Sequence, residues 1–397
     1  MTTAPARKFS TATSICLDVL RLLSAIVIAG VHLTQPFFSI GWPDLTDQGK
    51  PALVMLFLLS GLVIRYVTVM RRGKMSDFWV DRISRVYSVV LPALAFTIVA
   101  SYLAMRINPA YYTPNWGINN NNALLRIGMN LIFMAQSWSL VLDPFANTPF
   151  WTLSYEVFYY AFYAVGLYMA GKRRAFWLVL VAVLAGQHIL LLLPLWLIGC
   201  LAHDVYQRAR DPKISLRKLN LSFLAVGVGG AVLVPAMCRL LIFFKDILTR
   251  FLWAHHHVPI NLHWAYVYYA EGLPIVFALL WVMLLFERLK VAEKAAWVKW
   301  VRLLSEATFP LYLLHFPLYV LIAAIFPHER ANGWFKVGML VVCVTVSALL
   351  ARPTVQFKNY LRDVLLKSVF QPRLASGVLD AVELERALPR LEPANQV

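Results

Sequence analysis

The residues best placed to do chemistry lie inside a segment apolar enough to cross a bilayer. Residues 15–40, ICLDVLRLLSAIVIAGVHLTQPFFSI, carry Asp18, Arg21 and His32. Arg21 and His32 are eleven positions apart. A helix therefore sets them on one face, three turns and about 20° apart and roughly 16 Å along the axis. Asp18 falls one turn before Arg21 on nearly the same face. Ionisable groups within a span point at a cavity or a partner rather than at lipid. An imidazole so placed suits general-base chemistry, taking a proton from a hydroxyl. A second apolar stretch, PFWTLSYEVFYY, carries Glu156. A carboxylate beside an imidazole fixes its tautomer and stabilises the imidazolium. The plainer reading is that His32 and Glu156 are polar residues tolerating an interfacial depth; Arg21 beside them weighs against it.

Four further segments carry candidates. In FLLSGLVIR, Ser60-Gly61 either lets a second helix approach closely or lines a site. Arg65 lies deeper than a snorkelling arginine prefers, so it either finds a carboxylate or faces a cavity. In RRGKMSDFWVDRISRVY, Arg82 and Arg85 begin the third helix at the cytoplasmic surface and either suit bidentate phosphate contacts or are ordinary positive-inside charge. In LLSEATFPLYLLHFPLYVL, His315 sits mid-span with Tyr312 three residues before it; it is either a buried hydrogen-bonded histidine or a donor lining a site. The loop WAHHHVPINLHW holds His255, His256, His257 and His263 without an acidic or cysteine partner nearby, so no metal site is expected. That loop and the Asn-, Tyr- and Trp-rich loop 106–149 offer surfaces for a sugar.

The elements that position these residues follow from composition. Of 397 residues, 60% are hydrophobic and 14% charged, which excludes a soluble chain and describes an all-α, polytopic bundle of transmembrane helices. Ten spans are expected near 15–35, 50–70, 86–105, 150–170, 174–192, 194–207, 220–244, 265–287, 304–325 and 335–355. The sixth is short enough to be re-entrant. The stretch 124–141 reads as an interfacial or half-inserted helix. With the N-terminus inside, inner segments hold 27 Lys+Arg and outer loops 7, so both termini are cytoplasmic. The net charge of +17 is then a topology signal, with attraction to anionic lipid or ligand, and not a nucleic-acid footprint. On this layout His32 and Glu156 lie near the outer face at matched depth, and Arg21 lies toward the cytoplasm. Cys16, Cys200, Cys238 and Cys343 fall in spans without CxxC spacing, so neither a disulfide framework nor a zinc site is expected. The first span reads as an uncleaved helix. Residues 1–369 form the membrane domain and 370–397 a cytoplasmic tail.

The motifs, in order, resemble the acyltransferase-3 family of integral membrane acyltransferases, which O-acetylate bacterial surface carbohydrates. LDVLRLLSAIVIAGVH is similar to that family's Arg-x10-His helix, and FLLSGLVI to its Phe-x-x-Ser-Gly motif. FWVDRISRVY resembles its paired arginines, FMAQSW and FWTLSYEVFYY its Gln and Trp-x-Leu-x-x-Glu segments, and PLYLLHFPL its Tyr-Leu-x-His-x-Pro segment. The chain departs from the pattern at Ser88, where proline often follows the arginines, and at Arg352-Pro353, where many members have Glu-Pro. A fused extracellular hydrolase-like domain, present in some members, is not found. The resemblance implies acyl transfer in a bacterial inner membrane. The donor is acetyl-CoA or another acyl-CoA, with no tightly bound cofactor, and the acceptor is a carbohydrate or glycolipid hydroxyl. On this reading His32, Glu156, Arg21 and Asp18 are the catalytic candidates, with Arg82, Arg85, Arg65, Ser60, Tyr312 and His315 around the donor. A glycan or glycolipid transporter is the competing class, weakened by the lack of an inverted repeat. Monomer and homo-oligomer are both open.

Overall fold

A computed structural model of the chain describes residues 7–109, 122–138, 140–210 and 262–387, the last segment by backbone alone at 262–267, 270 and 368–387. The described residues form eleven α-helices. They are α1 (Thr11–His32), α2 (Lys50–Arg71), α3 (Met75–Ile107), α4 (Ala123–Leu131), α5 (Trp151–Tyr168), α6 (Gly171–Ala185), α7 (Gln187–Ala209), α8 (Leu262–Phe286), α9 (Ala296–Glu306), α10 (Thr308–Ile325) and α11 (Gly333–Ala387). Six are long and apolar enough to cross a membrane: α1, α2, α3, α7, α10 and α11. The chain is a polytopic helical bundle. The span expected at 220–244, Cys238 and the histidines at 255–257 lie outside the described residues.

Local chemistry sets several boundaries. Ser10 caps α1, its hydroxyl accepting from Thr13 N–H at 3.1 Å. Asp77 caps α3 by accepting from Lys74 N–H at 2.9 Å. The helix then runs unbroken through Arg82 and Arg85, beginning at Met75, ahead of the span expected from 86. The break expected between 192 and 194 falls instead at Gly186. Pro194 is accommodated inside α7. Gly186 has φ +77°, and a Cβ there would stand 2.4 Å from the backbone nitrogen of Trp138. The sixth helix, short enough on the sequence to be re-entrant, is therefore a 23-residue candidate span. The helix expected over 304–325 divides at Ala307, because Pro310 cannot donate back to Glu306 and the axis breaks there. The stretch 124–141 yields only the nine-residue α4, too short to cross, followed by turns with positive φ at Phe133 and Trp138. α11 continues well past residue 355 as one 55-residue helix.

α10 is the centre of the bundle, packed against α1, α3, α9 and α11, with thirteen of its eighteen residues buried. α2 crosses α7 so closely that glycine is required on both sides. A Cβ on Gly61 would meet the Trp196 carbonyl oxygen at 2.2 Å, and one on Gly199 would meet that of Leu58 at 2.2 Å. Ser60-Gly61 therefore does serve close helix approach.

Candidate active site

The α2–α7 crossing places Ser60 beside α5. Trp196 Nε1 donates to Ser60 Oγ at 3.2 Å, and Ser60 Oγ donates to Glu156 Oε1 at 3.3 Å. Glu156 Oε1 also accepts from Tyr160, one turn along α5. Tyr160 and Phe78 lie under the Arg82 guanidinium, with ring centroids 6.0 and 5.9 Å away. Arg82 Nε is buried without a hydrogen-bond partner. Tyr160 was not visible as a site residue in the sequence, although its i,i+4 spacing from Glu156 is the signal that finds it.

These groups line a cavity of about 420 Å³ at the basic end of the bundle. Ser60, Arg82, Arg85, Glu156 and Tyr160 stand on its walls, with Arg21 and Glu306 beside them and Thr152 and Tyr312 at the far end. Asp18 lies behind Arg21, 3.7 Å away, and is also within 3.9 Å of Arg302. Arg65 does not join the cavity. It is held bidentately by Asp204 of α7 at 3.0 Å, the carboxylate alternative of the two open to it.

His32 lies beyond the cavity, and Glu156 is not its partner. The ring of His32 meets His315, Nδ1 to Nε2 at 2.8 Å. The depth expected of Glu156 fails because α5 begins inside the bundle and not at its outer face. Asn147, just before α5, donates to Leu313 O at 2.9 Å and to Thr97 Oγ1 at 2.9 Å. Thr152 then stands level with Tyr312, and Glu156 one turn nearer the basic end. His315 is one turn farther out than Tyr312, so the imidazole pair and the Glu156 carboxylate are roughly 10 Å apart along the bundle.

The imidazole pair has a defined polarity. His315 Nδ1 lies 3.0 Å from Leu311 O. A carbonyl only accepts, so that nitrogen carries the hydrogen. In a neutral ring Nε2 is then the acceptor, and the hydrogen between the rings belongs to His32 Nδ1. That assignment, made from the network, leaves His32 Nε2 as a lone pair. His315 is fully buried, against Phe316 and Tyr319 as well as His32.

Outside the helices, Gln136 of FMAQSW donates to Asp143 Oδ1 at 3.4 Å. Burial pushes the Asp143 carboxyl up to about 6, with Arg126 pulling the other way. Cys16, Cys200 and Cys343 are free and buried.

No curated protein and no solved structure matches the chain. Residues 14–352 match the family described as "Acyltransferase domain", acyltransferase 3, and span every element from α1 to the middle of α11. The chain thus belongs to the acyltransferase-3 family and is a membrane acyltransferase.

Proposed function

We propose that the enzyme moves an acyl group, acetyl foremost, from acyl-CoA entering at the basic, cytoplasmic end to a hydroxyl of a carbohydrate or glycolipid on the opposite side. The observation that carries this reading is the alignment of a cation-lined cavity with a histidine pair one turn past its end. The donor's phosphates meet Arg82 and Arg85, and the pantetheine arm runs between Ser60, Glu156 and Arg21 toward Tyr312. The arm and the span from Arg21 to His32, roughly 16 Å, are of comparable length.

His32 Nε2 then takes the proton from the acceptor hydroxyl. The oxygen attacks the thioester carbonyl, the carbon–sulfur bond breaks, and the imidazolium returns its proton to the leaving thiolate. Tyr312 is the cavity's donor nearest the histidines and serves the developing oxyanion. Glu156 holds the wall through Ser60 and Tyr160. The orienting role expected of it passes to His315. A carrier reading has no observation in its favour.

The test is release of CoA thiol from acetyl-CoA by purified protein with candidate glycan acceptors, radiolabel being followed into product. His32→Ala is expected to bind CoA as wild type does and to lose turnover by at least about a hundredfold. If wild type binds no acyl-CoA, the donor assignment is wrong. If His32→Ala turns over normally, the base assignment is wrong.

A further inference from the structure

The matched family domain ends at residue 352, yet α11 continues past it and forms a wall of the cavity. Thr354, Val355, Lys358, Asn359 and Arg362 all line it. Their spacing is that of a single helical face, so the wall is built by the helix as a unit and not by one stray side chain. Asp81 of α3 pins this face. It accepts from Arg362 Nε at 3.0 Å through Oδ1 and from Arg71 through Oδ2. One carboxylate between two guanidinium groups leaves excess positive charge. Around the whole cavity six cations, Arg21, Arg71, Arg82, Arg85, Lys358 and Arg362, face three carboxylates, Asp81, Glu156 and Glu306.

The cations form two tiers. Arg82, its Nε buried and unpartnered, belongs with Arg21 and Arg85 to an inner tier. Arg71 and Arg362, whose side chains are 61% and 48% exposed, form an outer tier at the mouth, and half-buried Lys358 stands one turn along α11 from Arg362. A coenzyme A thioester carries anionic groups in two places as well. Its diphosphate follows directly on the pantetheine arm. Its ribose 3′-phosphate is at the end of the molecule farthest from the thioester, and as a monoester carries about −1.5 to −2 at neutral pH. With the thioester directed inward, the diphosphate reaches the inner tier and the monoester the outer one.

We propose that Lys358 and Arg362 of α11, together with Arg71, bind the ribose 3′-phosphate of the donor. The helix beyond the family domain then distinguishes coenzyme A from its 3′-dephospho form. This rests on the acyl-CoA reading given above, and Asp81 acts as the positioning residue that holds Arg362 against the mouth.

The test is calorimetric binding of CoA and of 3′-dephospho-CoA to the full chain in detergent, for wild type and for Lys358→Gln/Arg362→Gln. It requires neither an acceptor nor turnover. Wild type is expected to bind CoA roughly tenfold to a hundredfold more tightly than the dephospho form, as charge-assisted contacts warrant. In the double variant that ratio is expected to fall to about two or less. The ratio is unmoved by general damage to the site, which weakens both ligands alike. A ratio retained in the variant, or equal binding of both ligands by wild type, overturns the proposal and leaves the donor reading standing. Failure of wild type to bind either ligand overturns the donor reading itself.

Discussion

Replacing His315 separates an oriented imidazole from one that is merely present. His315→Ala removes the acceptor, 2.8 Å away, that holds the hydrogen on His32 Nδ1. A neutral hydrogen bond is worth about 1 kcal/mol net, and a buried donor left without a partner costs about 1–3 kcal/mol. His32 then favours the tautomer with hydrogen on Nε2, the nitrogen that must accept the acceptor's proton. Each 1.4 kcal/mol is a factor of about ten, so the competent fraction falls roughly tenfold to a hundredfold. Because His315 is not on the cavity wall, the loss is expected in kcat, with KM for the acyl donor unchanged. The alanine also leaves a hole beside Phe316 and Tyr319, so His315→Gln is the companion variant. Its amide oxygen can accept from His32 while its NH2 donates to Leu311 O, and it is expected to restore most of the lost kcat. The assay is steady-state thiol release over a range of donor concentrations, with melting temperatures recorded for both variants. Wild-type kcat in His315→Ala would refute the reasoning, as would a glutamine variant that melts like wild type yet is no better than the alanine.

Two other outcomes are expected. Gly61→Ala forces a methyl to 2.2 Å from the Trp196 carbonyl oxygen, so α2 and α7 must separate. About 1–3 kcal/mol of stability is lost, Ser60 moves off Glu156, and thermal unfolding reads the first effect while donor affinity reads the second. Asp143 titrates near 6 when folded and near 3.8 when unfolded. The folded state therefore binds the extra proton, and the stability this adds is complete below about pH 4 and lost as pH rises through 6. At about 1.4 kcal/mol per pH unit, up to about 3 kcal/mol is at stake. Melting temperatures of wild type and Asp143→Asn between pH 4.5 and 7 check this, since the substitution is expected to remove that part of the slope.

The parts of the molecule that were legible in the sequence are those governed by local composition. Apolar length located the six helices long enough to cross a membrane; of the other four spans expected, 150–170, 174–192 and 265–287 are not among these six and 220–244 lies outside the described residues. The eleven-residue spacing put Arg21 and His32 on one face. The arginines of α3 were found by residue type, and Ser60-Gly61 by size. What could not be read depends on how helices meet. That α5 starts at the level of Leu313 is decided by one side chain, Asn147, bonding across the bundle, and this moved Glu156 away from His32. The choice between a carboxylate and a cavity for Arg65 was decided by Asp204, 139 positions away in the chain. Gly186 ended the helix expected to run to 192, because the glycine packs against the backbone of Trp138, while Pro194 lies inside α7. The contribution of Lys358 and Arg362 was hidden because cations after a span are expected on topological grounds alone.

The gap between the cavity's end and His32 has a consequence for the membrane itself. A bilayer that stores a proton gradient cannot contain a continuous wet path, yet group transfer between its two sides needs a passage. Among the described residues, the cavity at the basic end is lined as far as Tyr312 and does not include His32. On the donor path proposed above, the slender arm that threads past Tyr312 would itself fill the opening it uses.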